Sequence, residues 1–112
     1  MAFVRVDTLR SIASGSITNA YQTLGAVISK NWRMCCFINN TDGDMFISFD
    51  GTTNNLFVPK NGFRLYDFST NSPNISDSDS FVISINTQLY IKYSSAPTTG
   101  SFYVEGVYAT GV

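Results

Sequence analysis

Histidine is absent from the 112 residues. With it go the commonest general base, the commonest metal ligand and every triad that depends on imidazole. Charge is also scarce. Lys, Arg, Asp and Glu together make 13% of the chain, about half the usual share for a soluble domain. The seven basic and eight acidic residues, net −1, are scattered without runs. Nothing resembles the basic stripe that neutralises phosphates, so neither nucleic acid nor an anionic membrane is expected as a partner.

No stretch approaches the ~20 apolar residues of a membrane span, and Met1 to Asp7 lacks the apolar h-region of a secretory signal. The expectation is a chain made and kept in a cytosol-like compartment. Cysteine is confined to Cys35 and Cys36. Neighbours on a strand point to opposite faces and do not readily bridge, so both are read as free thiols, as a reducing site of synthesis allows. The sequons at Asn39 and Asn74 are read as chance matches in Asn- and Ser-rich turns.

What is abundant is apolar and aromatic side chain: 44% of the chain is hydrophobic and 14% aromatic. A small protein so poor in charge hides part of its surface against a partner. The length suits one domain with one core, residues 1–112. No segment carries an apolar stripe of period 3.6, whereas short β-branched and aromatic runs alternate with Gly, Asn, Asp and Ser clusters. The pattern predicts an all-β, antiparallel two-sheet sandwich, jelly-roll or immunoglobulin-like, of about eight or nine strands.

Phe3 to Leu9 is expected to be a strand and Ser11 to Gly15 a soft segment, so that 1–15 forms an extended N-terminal arm or an edge strand. Ser16 to Ile28 reads as two short strands broken near Gln22 to Gly25. From Trp32 the alternation is clean, and Trp32, Met34, Cys36 and Ile38 are expected to face the core. Asp42-Gly43 between two apolar runs predicts a hairpin into Met45 to Phe49, with Met45, Ile47 and Phe49 inward. Further strands are expected at Leu56 to Val58, Phe63 to Phe68, Phe81 to Ile85, Gln88 to Tyr93 and Ser101 to Ala109. The polar stretch Ser69 to Ser80 reads as a surface loop.

Catalytic chemistry finds little support. Cys35 or Cys36 as nucleophile lacks a neighbouring base, and a strand cysteine is more often inert packing. The carboxylate pairs Asp42 with Asp44 and Asp77 with Asp79 lie in turns, where Asp serves local backbone. Asn40, Asp42 and Asp44 alternate like the start of a calcium loop, but the glycine is misplaced and no bidentate Glu follows. Glu105 reads as a solvated strand carboxylate. No catalytic, metal or cofactor residue is assigned.

The surplus of rings is the remaining signal. If Leu89, Ile91 and Tyr93 line the core with the sets above, then Phe37, Phe46 and Tyr90 face away from it, joined by Tyr103 opposite Phe102, Val104 and Tyr108, as an interface, a covered sheet or a sugar-stacking platform. With Phe3, Val4 and Val6 of the N-terminal segment, which could add to a neighbour's sheet edge, they form the candidate interface set. A sugar site would use Tyr66, Tyr90 or Tyr103 with loop Asn and Asp.

The stretch from Phe37 to Gly51, with Phe-Ile-Asn-Asn-Thr-Asp-Gly-Asp turning back into a strand that finishes Ser48-Phe49-Asp50-Gly51, resembles a pattern in short virion proteins of tailed bacteriophages. Ser16 to Gly25, Gln88 to Lys92 and Gly100 to Tyr108 agree with it, in order, over most of the chain. The resemblance implies a β-sandwich on a virion, made in the host bacterial cytoplasm. Most directly it implies a capsid decoration or cement protein that bridges subunits of the major capsid protein, often as a homotrimer. Head-fibre, tail and baseplate components, and a carbohydrate-binding module for host attachment, are the alternatives it leaves.

Overall fold

The computed structural model describes residues 2–67 and 83–111. Nine strands are described: β1 (Ala2–Val6), β2 (Arg10–Ala13), β3 (Gln22–Thr23), β4 (Trp32–Thr41), β5 (Met45–Ser48), β6 (Leu56–Val58), β7 (Phe63–Asp67), β8 (Tyr90–Tyr93) and β9 (Gly100–Gly111). They form two antiparallel sheets. One runs β1-β9-β4-β7 with β2 also beside β9, and the other runs β3-β8-β5-β6.

The order follows from one long hairpin rolled up. With the tip at the loop between β5 and β6, the chain pairs symmetrically outward: β5 with β6, β4 with β7, β3 with β8, and β1 and β2 with β9. Rolling this double ribbon then brings β9 beside β4 and β8 beside β5. That is the strand order of a jelly roll, and it decides between the two sandwich types the sequence leaves open.

The core fills the space between the sheets. Trp32, Phe37, Phe102 and Val104 come from the first sheet, and Met45, Ile47, Val58 and Ile91 from the second; all are fully buried. Leu24, Ile28 and Leu89 seal the loops between them. Phe49 and Tyr93 pack at the margin, so the inward sets on β5 and β8 are those that alternation predicts.

On β4 the phase differs from the expected one. Trp32 is buried, but Cys35 and Phe37 follow it inward, and Met34, Cys36 and Ile38 face out. The cause is a bulge: Trp32 pairs with Tyr108 and Met34 with Val107, so two steps on β4 oppose one on β9. One extra residue reverses the face of everything after it. Phe37 is therefore core rather than outward-facing, and it meets Tyr66 edge-on at 6.2 Å between ring centres.

Other expectations change as well. Arg10 to Ala13, which overlaps the predicted soft segment, is a strand. The long β9 offers it an edge beyond the stretch that β1 occupies, and pairing outweighs the low strand preference of Ser and Ala. A 3-10 turn covers Ser14–Ser16 and the only strand of the next stretch is Gln22–Thr23, where a break was predicted. The N-terminal strand is the outer strand of its own sheet, with Val6 opposite Val107. Near the expected strand from Phe81, Ile83 forms an isolated bridge with Trp32. The Ser69 to Ser80 loop, Asp77, Asp79 and the side chain of Phe3 lie outside the described residues.

Asp42-Gly43 makes no hairpin within a sheet. β4 and β5 belong to different sheets, so this turn is a corner, as are the crossings from β6 to β7 and from β8 to β9. The three corners are tied together. Buried Asn39 donates to the carbonyls of Gly43, 2.8 Å, and Val58, 3.0 Å, and its side-chain oxygen accepts from Thr41. Gly43 sits so close to the β8 to β9 segment that a Cβ would lie 2.3 Å from the Ser95 carbonyl. The approach admits only glycine.

Candidate interaction surfaces

Two broad faces remain once the core is filled. On the first sheet, the register places side chains in rungs across the outer face: Val4 beside Ala109, Val6 beside Val107, Met34 and Asp67, Glu105 beside Cys36 and Leu65, and Tyr103 beside Ser11, Ile38 and Phe63. Val4 and Val6 are each 71% exposed, Phe63 61% and Leu65 57%. The bulge creates this face. By rotating Met34, Cys36 and Ile38 outward, it sets an aliphatic row between the exposed residues of β1 and β7.

On the second sheet, Phe46 stands outward between Phe57 of β6 and Lys92 of β8. Its ring lies 5.5 Å from that of Phe57, tilted by 58°. The Lys92 ammonium sits 4.7 Å from the Tyr21 ring centre and 5.8 Å from that of Phe46, a cation held between two π-faces. Tyr21 is fixed in turn by a hydrogen bond from its hydroxyl to Asn54. Tyr90 lies further along the face, against the Gly51 turn.

The predicted interface residues thus divide three ways. Val4, Val6 and Tyr103 share the first outer face, Phe46 and Tyr90 share the second, and Phe37 is in the core. Tyr66, proposed for sugar stacking, points inward toward Phe37. Tyr90 and Tyr103 lie on opposite faces of the molecule, so the three tyrosines build no common site. Sequence reasoning missed Phe57, Phe63, Leu65 and Lys92. For Phe63 and Leu65 the signal was the set of apolar residues on β4 opposite the true core parity, hidden by the bulge; for Phe57 and Lys92 it was alternation on β6 and β8, which puts them on the face of Phe46.

The acidic residues of the turns act on the backbone. Asp42 accepts from the Thr98 hydroxyl and from the Thr98 and Thr99 amides, which lowers its pKa from the ordinary 3.8 to about 2. Asp44 accepts from the Lys60 amide at 2.9 Å. Asp50 accepts from Thr52 and Thr53 amides and from the Ser48 and Thr53 hydroxyls, which likewise hold its pKa down. A carboxylate engaged in this way closes a corner and is poorly placed to bind an ion or a substrate. Among the described residues no three His, Cys, Asp or Glu side chains gather as metal ligands.

Burial pushes the Cys35 thiol up to about 12, with neighbouring Cys36 adding to the effect. Cys36, on the outer face, is raised first by partial burial and then by Glu105. Neither is activated as a nucleophile.

An open depression of about 480 Å³ runs between Asp7 to Ser11 and the loop from Gly25 to Ser29. Its one basic group, Arg10, is engaged structurally. The guanidinium lies 4.8 Å from the Trp32 ring centre, donates to the Ala26 carbonyl and stands 3.9 Å from Asp7. Asp7 in turn accepts from the indole N–H of Trp32 at 2.9 Å. A smaller apolar slot of about 120 Å³ opens among Phe37, Phe49, Leu56, Tyr66 and Ile83. Among the described residues no helix is long and apolar enough to cross a membrane.

Fold and surfaces together define a jelly-roll sandwich with two outer faces rich in apolar side chains. Comparison of the chain with protein-family models, curated proteins and solved structures gives no match.

Proposed function

We propose that the chain is a structural, non-enzymatic protein of a tailed-phage virion. In this reading it is a decoration or cement protein that assembles with itself and bridges subunits of the capsid. The observation that supports this best is the outer face of the first sheet, where Val4, Val6, Phe63 and Leu65 stand largely in water. Contiguous apolar area of this kind marks a contact surface. The jelly roll is a fold used in viral capsids and lectins, and the motif order from Ser16 to Tyr108 resembles short virion proteins.

The mechanism is mechanical. Each copy covers apolar surface on itself and its neighbours, and burial at ~25 cal/mol per Å² offsets the cost of association once several contacts act together. A carbohydrate-binding role receives less support, because the rings of the second face are tilted against each other or covered by Lys92 and offer no open stacking platform.

An antibody raised against the purified chain, applied with gold label to tailed particles from the source culture, tests the proposal. Regular labelling of heads is expected. Label on tails or fibres moves the protein to another part of the virion, and unlabelled particles refute the reading.

A further inference from the structure

Resting on that reading, we infer that the two outer faces are the two halves of one contact: the β1-β9-β4-β7 face of one copy seats on the β3-β8-β5-β6 face of the next. The argument is charge complementarity on two otherwise apolar surfaces. In the first face the central charge is acidic: Glu105, between Cys36 and the end of β2 on its rung, with Leu65 beyond Cys36. The Glu105 side chain is exposed and joins no ion pair among the described residues. In the second face the charge at the centre is basic, Lys92, held on the Tyr21 and Phe46 rings. At its rim Asp50 is occupied by its own turn and Asp44 by the Lys60 amide of the β6 to β7 corner.

Like faces brought together would set Glu105 near Glu105 or Lys92 near Lys92 in a drying interface, where like charges repel most strongly. Unlike faces pair the two charges and cover both apolar surfaces at once. Because the halves differ, the contact is heterologous and builds a closed ring, of which a trimer is one solution, or an open stack.

The test is charge reversal followed by light scattering of the purified full chain, with circular dichroism to check that each variant is folded. The wild type is expected to be multimeric. Glu105→Lys and Lys92→Glu, each alone, are expected to weaken self-association by about tenfold or more. The chain carrying both is expected to recover it, as is an equimolar mixture of the two single variants. A monomeric wild type, single variants that assemble unchanged, or loss on Glu105→Lys without loss on Lys92→Glu would each overturn the inference. Gold labelling of particles reads the virion role separately, so a monomer found on tailed particles removes this contact and leaves that role standing.

Discussion

Asp42 shows how a single turn residue reaches across the fold. Its carboxylate joins the corner after β4 to the corner before β9 through Thr98 and Thr99. Because its folded pKa lies near 2 against an ordinary 3.8, it stabilises the fold above the higher value and ceases to do so as pH falls through the lower one. Urea unfolding of wild type and Asp42→Asn should therefore differ most at pH ~6 and converge by pH ~2; a gap that stays constant across that range would contradict the assignment. Gly106 makes a different point at the same scale. It is buried on β9 directly beneath Trp32, and a Cβ there would lie 2.1 Å from the indole ring. Gly106→Ala should cost about 1 to 3 kcal/mol through displacement of the ring, read as a lower denaturant midpoint.

At the scale of the strand, β4 carries the lesson of how far a sequence can be read. Its position, its start and the inward turn of Trp32 follow from alternation, whereas the strand runs on to Thr41 through residues that read as turn. The phase beyond Trp32 does not follow either, because the extra residue at the bulge shows only in how β4 pairs with β9 and not in the apolar alternation of β4 itself. The same limit applies at Asp42-Gly43: the turn chemistry is plain, but whether the chain returns to its own sheet or crosses to the other is set by long-range pairing. Strands β5, β8 and β9 have no such interruption along their core segments, and there the expected inward residues Met45, Ile47, Leu89, Ile91, Phe102 and Val104 are all buried. The candidate surface was accordingly half visible, with Val4, Val6, Phe46, Tyr90 and Tyr103 outward and Phe37 misplaced. Truncation separates the two cases. Phe37→Ala should lower stability by about 3 to 5 kcal/mol, whereas Phe57→Ala, at a ring 42% exposed, should cost less than about 1.5 kcal/mol. Equal losses in chemical denaturation would mean that the assigned faces are wrong.

For the molecule as a whole, the adjacent cysteines report on both sides of one sheet. Cys35 lies in the core with its thiol pushed up to about 12, so it should react with a disulfide reagent only when the fold opens. Cys36 faces out beside Glu105 and should react first, slowly at neutral pH and faster as pH rises, since its thiol is also raised. If the inferred contact forms, Cys36 is covered by it, and its labelling rate should fall with increasing protein concentration. Two thiols reacting at equal rates in the folded chain would show that β4 is not placed as described.

The pairing of Ala2 with Gly111, set against Thr41 beside Gly100 at the far end of β9, gives the barrel of strands two unlike poles. One is closed by knotted corners, and from the other both directions of the polypeptide leave side by side. Anything spliced onto either direction, whether a reporter or a displayed peptide, would emerge from that same pole and leave both flat flanks clear.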